Sequence, residues 1–166
     1  LAGCPASVSY VINNYGPVDL VSLFKPELPD VAVWLLKWFA PDKHEQRQAR
    51  LQALTGLDPA VDKVAIRELL EAYSPLSYVG ERAVPTLIFH GDADKTVPAS
   101  QAESLKEALQ RVGVPTDMVI YPGAGHGFRD MSPAAERDLL DRTVSFVRQH
   151  TASGMTRSTE GCDSTL

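Results

Sequence analysis

Asp94 and His126 are the pair of side chains in this sequence whose types and spacing suit proton-transfer chemistry. A carboxylate bonded to one imidazole nitrogen holds the ring in the tautomer whose other nitrogen can take a proton, and it stabilises the imidazolium that results. Each residue follows a segment that reads as a strand. The 32 positions separating them (126 minus 94) are about one strand-helix-strand crossover, which needs roughly 30 residues. In a parallel sheet both loops emerge at the same edge, above the carboxyl ends of the strands, where open α/β sheets place their ligands. Gly125 and Gly127 flank His126, and such small neighbours let a ring reach into a cleft without a side-chain clash. On residue type alone Asp92 is a rival for the acid. His90, Asp92, Asp94 and His126 also have the donor types of a divalent-metal site, but no second histidine lies within the same motif, and the expectation is no metal.

The elements that must position this pair are legible in the chain. Val8 to Tyr15 reads as a buried strand of β-branched and aromatic residues stopped by Gly16-Pro17. Residues from about 29 to 72 read as a helical insertion, with Val31, Trp34, Leu35 and Trp38 at helical spacing and Asp58-Pro59 capping its last helix. Thr86 to His90 is a short apolar run ending at Gly91, the pattern of a strand buried on both faces. A helix should follow Pro98, with Ala102, Leu105, Ala108, Leu109 and Val112 as its apolar stripe and Gly113 as its stop. Met118 to Tyr121 is another strand, and Ser132-Pro133 opens a last helix with Leu140, Val144 and Val147 on one face. Strand, helix, strand, helix predicts an α/β fold, a parallel sheet flanked by helices. His90 reads as structural, bonded near its strand end, and His44 and His150 read as solvated.

Composition narrows the function classes. The chain has 166 residues, 44% of them hydrophobic and 22% charged, as soluble globular domains do. A net charge of -5 with no cluster of Lys and Arg argues against nucleic acid as a partner. The longest apolar run, Val31 to Ala40, is broken by Lys37 and is too short for a membrane span, which wants about 20 residues. Cys4 and Cys162 have no metal-site spacing and read as free thiols. The composition from Thr151 to Leu166 shifts to Thr, Ser and Gly and predicts a loose polar tail, with the folded domain spanning 1–150.

The segment His90-Gly91-Asp92-Ala93-Asp94-Lys95-Thr96-Val97-Pro98 resembles the catalytic-acid loop of the α/β-hydrolase superfamily, and Gly123-Ala124-Gly125-His126-Gly127-Phe128 resembles its catalytic-histidine loop. Tyr15-Gly16-Pro17-Val18-Asp19 and Ser74-Pro75-Leu76-Ser77-Tyr78-Val79 extend the likeness. Together the four motifs resemble the esterase branch that includes feruloyl-esterase-like and acylaminoacyl-peptidase-like enzymes. The resemblance implies the C-terminal part of an α/β-hydrolase fold, with Asp94 as the acid, Asp92 as the turn former and His126 as the base. It implies hydrolysis of a carboxylic ester, a small-molecule substrate, through an acyl-enzyme and without a cofactor. A serine peptidase of the acylaminoacyl or prolyl-oligopeptidase type is the alternative, and a non-catalytic binding module on the same fold is a further one. In this superfamily the nucleophile comes first in the chain, in a G-x-S-x-G elbow. No serine here has those flanks, and Leu1-Ala2-Gly3 resembles the helix after the elbow, so the serine and the oxyanion hole are expected upstream and the isolated chain inactive. Trp34 and Trp38, four apart on one helix face, read as core residues; because the insertion lies over the active-site mouth in relatives, they and Tyr15 are also the candidate substrate contacts.

Overall fold

The computed structural model describes residues 8–25 and 29–155; the readings of Leu1-Ala2-Gly3, Cys4, Cys162 and, of the tail expected over 151–166, residues 156–166 lie outside the described residues. In chain order the elements are β1 (Val11–Asn14), α1 (Leu20–Phe24), α2 (Asp30–Phe39), α3 (Pro41–Thr55), α4 (Lys63–Tyr73), a 3-10 turn (Pro75–Tyr78), β2 (Thr86–Gly91), α5 (Ser100–Arg111), β3 (Thr116–Tyr121) and α6 (Pro133–Met155). They form two units, one of Leu1–Gly16 with Val79–Leu166 and the other of Pro17–Tyr78.

The first unit is built on a three-stranded sheet in the order β1-β2-β3. Both pairings are parallel, with Val11 opposite Thr86 and Thr86 opposite Thr116. All six residues of β2 are buried, as its unbroken apolar run requires of a strand covered on both faces. α5 packs on β2 and β3, and α6 packs on β2. Leu87, Phe89, Tyr121, Ala124 and Phe146 form the core, with Tyr10, Ile12, Val119 and Leu139 packed around it. Gly113 ends the α5 segment at a φ of 73°, and the next amide, of Val114, bonds back to the Leu109 carbonyl at 3.0 Å. Such a left-handed turn is where glycine substitutes for a side chain that would clash.

Four sequence expectations for this unit need correction. β1 is four residues long and only partly buried, because among the described residues it pairs with β2 alone. The face of α6 that packs is the one carrying Ala135, Leu139 and Phe146. Leu140 and Val144, expected inward, are 59% and 45% exposed, and Val147 is half-buried. Two apolar stripes lie one residue apart on this helix, and periodicity alone does not choose between them. His150 is not simply solvated, since its ring lies 4.3 Å from that of Phe146. α6 itself opens at Pro133 as expected, with the Ser132 hydroxyl accepting from the Ala135 amide at 3.2 Å, but it continues to Met155, five residues into the segment expected as a loose tail from Thr151, the Thr151 hydroxyl bonding back to the Val147 carbonyl at 2.7 Å.

The second unit is helical, and its helices begin at Leu20 rather than near residue 29. Asp19 caps α1 by accepting from the Ser22 amide at 3.0 Å. Leu51, Ile66 and Leu70 form its core, with Leu20, Val21, Phe24 and Leu57 around them. The buried Ser74 hydroxyl donates to the Leu70 carbonyl at 2.7 Å and accepts from the Leu20 amide at 2.9 Å, tying α1 to the end of α4. Asp58-Pro59 does not cap α4. Asp58 instead accepts from the Ala60 amide at 2.8 Å in a turn, and the helix starts at Lys63.

Removing the buried α6 ring in Phe146→Ala should lower the unfolding free energy by about 3–5 kcal/mol, while Leu140→Ala, on the other stripe, should change it by about 0.5 kcal/mol or less. Urea unfolding of the two variants checks the packed face of α6, and equal losses would show the stripes to be reversed.

Candidate active site

β2 and β3 end side by side, with Gly91 opposite Tyr121, and each passes into a loop. The loop after β2 turns at once, the Asp94 amide bonding to the Gly91 carbonyl at 3.3 Å. It folds around the Asp94 carboxylate: Oδ1 accepts from the backbone amides of Thr96 at 2.8 Å and Val97 at 2.9 Å. Oδ2 lies 2.8 Å from Nδ1 of His126, on the loop after β3. The Asp94 side chain has no exposure, whereas that of His126 is 40% exposed. An ionised carboxylate only accepts, so Nδ1 of His126 carries a proton, and in the neutral ring Nε2 carries the lone pair. Among the described residues Nε2 makes no hydrogen bond. Burial alone would raise the pKa of Asp94, but the bonds from Val97, His126 and Thr96 outweigh it and hold the carboxyl below its ordinary value.

The other residues of the acid loop have different partners. Asp92 accepts from the Gly123 amide at 2.6 Å, and the Ala93 amide donates to the Ala124 carbonyl at 3.1 Å, so the two loops are bonded to each other beside Asp94 and His126. Their approach depends on Gly91, where a Cβ would meet the Ala124 carbonyl oxygen at 2.1 Å. Gly127 is needed for another reason than the clearance expected from the sequence: no atom lies within 4 Å of the place its Cβ would take, but its φ is 76°. The fully buried His90 bonds through Nε2 to the Val97 carbonyl at 2.8 Å, which makes Nε2 the donor and leaves Nδ1 buried with no partner among the described residues. Among the described residues no group of three His, Cys, Asp or Glu is arranged to hold a metal ion.

Tyr15 follows β1 and lies in the same unit, its ring centroid 4.9 Å from that of His126. Trp34 and Trp38 lie on α2 in the other unit, stacked on each other with centroids 6.2 Å apart. At 58% and 72% exposed they are not the core residues that their helical spacing also suggests. The sequence also allows Asp94 as a turn residue whose side chain caps local amides, and its carboxylate does both, holding the Thr96 and Val97 amides while it bonds His126. Sequence reading gave no role to Phe128, which stands 4.8 Å from Tyr15. Tyr15 and Phe128 have φ of 44° and 56°, a left-handed conformation that costs a non-glycine residue roughly 1–2 kcal/mol.

The model of the prolyl oligopeptidase family matches residues 9–154. Esterase LipQ of Mycobacterium tuberculosis is 33% identical over 107 residues, which is 64% of this chain and 24% of that protein. The acylamino-acid-releasing enzyme of mouse is 28% identical over 92 residues, 55% of this chain and 12% of that protein. The chain thus spans less than a quarter of either curated relative it matches. A solved structure described as a truncated form of a carbohydrate esterase from gut microbiota superposes with a TM-score of 0.57 at 26% identity, over 87% of this chain and 43% of that one.

Acid unfolding tests the environment of Asp94. Its pKa in the folded state is below the ordinary value of about 3.9, so the stability it contributes is present above that value and is lost as pH falls through the depressed one. Asp94→Asn should therefore be less stable than the native chain by about 1–3 kcal/mol at pH 7. The gap should narrow below about pH 4 as the native carboxylate takes up its proton. Urea titrations at several pH values measure it, and a gap that stays constant would contradict the assignment.

Proposed function

Because the chain belongs to the prolyl oligopeptidase family, within the α/β-hydrolase superfamily, we propose that it supplies the acid and the base of a Ser-His-Asp triad that hydrolyses carboxylic esters. The observation that carries this reading is the 2.8 Å bond from His126 Nδ1 to a fully buried Asp94 carboxylate, which leaves Nε2 bare on a part-exposed ring. Those are the properties a general base requires.

In the proposed reaction the serine hydroxyl attacks the ester carbonyl as Nε2 of His126 takes its proton. The tetrahedral intermediate collapses as the imidazolium returns that proton to the departing alcohol, leaving an acyl-enzyme. Water, deprotonated by the same nitrogen, then releases the acid and regenerates the serine. Asp94 stays ionised throughout and stabilises the imidazolium by the bond it already makes. The serine and the oxyanion donors are assigned to sequence outside these 166 residues, since no serine among them has the glycine flanks of a nucleophile elbow. Tyr15 is assigned to the wall of the site, beside the base.

Likeness to an esterase over 64% of the chain and to a carbohydrate esterase over 87% of it supports an ester substrate. The family's own description and the likeness to a peptide-releasing enzyme favour a peptidase as the second reading. Both run on the same dyad. They differ in the leaving group, an amine needing its proton from His126 more than an alcohol does.

The expected outcome for the 166-residue chain alone is no turnover of an activated ester and no labelling by a fluorophosphonate probe. A longer protein that contains it should label at one serine, and His126→Ala there should lower kcat by about three to four orders of magnitude or more with KM much less affected. Asp92→Asn should reduce kcat far less than Asp94→Asn. Stoichiometric labelling of the short chain would place the nucleophile within it, and a longer protein that hydrolyses neither esters nor acyl peptides would favour a binding module.

A further inference from the structure

Asp94 fixes one nitrogen of His126, but a single hydrogen bond leaves the ring able to swing about the axis of that bond. The histidine's own loop resists this little, because its two neighbours, Gly125 and Gly127, bring no side chains. Lateral contact comes from a distant part of the chain. The Tyr15 ring meets the imidazole edge-to-face, with centroids 4.9 Å apart and planes at 66°. Tyr15 is itself packed against Phe128 at 4.8 Å and 76°. Phe128 stands edge-on to Tyr121 at 6.0 Å, and Tyr121 stacks on the fully buried Phe89 at 6.0 Å. A continuous series of aromatic contacts therefore runs from the middle of β2 to the imidazole, each at a separation where such pairs attract.

The backbone points the same way. Tyr15 and Phe128 both have positive φ, at 44° and 56°, a conformation that bulky side chains rarely adopt. Outliers of this kind persist where their surroundings over-determine them, and they gather at working sites. The Tyr15 amide is held by the Phe89 carbonyl at 2.8 Å, so the chain turns out of the sheet from a fixed point.

We infer that Tyr15 is a positioning residue for His126: its ring restrains the orientation of the imidazole, with Phe128 as its backing, so that Nε2 stays turned to the side from which a hydroxyl must approach. The inference rests on the reading of His126 as the base and gives Tyr15 a task beyond lining the site. It assigns the restraint to the ring and not to the hydroxyl, which makes no hydrogen bond among the described residues.

The test uses the 166-residue chain and needs no catalysis. The Nδ1 proton of His126, bonded to Asp94, is followed by NMR together with the midpoint of urea unfolding. In Tyr15→Phe the proton should remain as in the native chain. In Tyr15→Gly, which accepts the positive φ but has no ring, cooperative unfolding should be kept while that proton exchanges with water about tenfold faster or broadens away. Tyr15→Asn, also at ease in the left-handed region, should do the same and serves if the glycine variant does not fold. An unchanged proton in the glycine or asparagine variant overturns the inference, as does an equal loss in Tyr15→Phe. Loss in the ringless variants with retention in Tyr15→Phe supports it even if a longer protein shows no hydrolysis, an outcome that would count against the proposed function alone.

Discussion

A carboxylate with no access to water must find its hydrogen-bond donors inside the protein, and Asp94 finds three: the amides of Thr96 and Val97 and the Nδ1 of His126. Burial without them would drive the group to protonate; with them it stays ionised. Much of the surrounding structure can be understood as what supplies these donors. Two come from the loop's own backbone, and that loop is held from below by His90, whose Nε2 bonds the carbonyl of the same Val97 that donates to Asp94. The third arrives from another loop, so the carboxylate is also a joint between the ends of two strands. The charge that makes Asp94 useful therefore helps, beside the bonds from Asp92 to Gly123 and from Ala93 to Ala124, to give the two loops one arrangement.

That arrangement has local costs. Gly91 is pressed against Ala124 so closely that no side chain fits there. Tyr15, Phe128 and Asp130 all have positive φ, at 44°, 56° and 66°. None of this is relieved within the loops themselves. It is sustained by β2, every residue of which is buried, and by a core that runs from Leu87 and Phe89 through Tyr121 to Phe146. Strain at the rim and close packing beneath it are two sides of one design, since a soft core would let the loops relax and the dyad separate.

How much of this was legible in the sequence depended on how local each cause is. The loops that carry Asp94 and His126 were legible because a strand-helix-strand spacing sets where two loops emerge, while the choice of Asp94 over Asp92 rested on the resemblance of its motif. β2 was legible because burial on both faces writes a continuous apolar run. The packed face of α6 was not, because Leu139 and Leu140 stand one residue apart and only the sheet decides which is covered. The partial exposure of β1 was not, because burial of a strand depends on neighbours that its own residues do not name. Asp58-Pro59 has the chemistry of a helix cap, yet the same side chain bonding two residues ahead makes a turn, and the helix waits until Lys63. Tyr15 could be suspected, but its contact with His126 joins residues 111 positions apart (126 minus 15), and nothing in the spacing reveals it.

The three strands differ in what they owe to one another. In β1 the amides of Val11 and Tyr15 bond toward β2, to the carbonyls of Pro85 and Phe89. Alternation along a parallel strand then directs the amides of Ile12 and Asn14 away from it, to an edge with no strand partner among the described residues. Yet β1 is the strand that delivers Tyr15 to the imidazole. Asp94, His126, Tyr15 and Phe128 all belong to one unit, so the bond from Asp94 and the ring contact from Tyr15 reach the imidazole within it. The open edge of β1 therefore bounds the sheet without entering the geometry of the dyad. In the reading proposed above, the orientation of the base is a property of three strands and their loops, and a hydroxyl brought to it meets a ring already fixed.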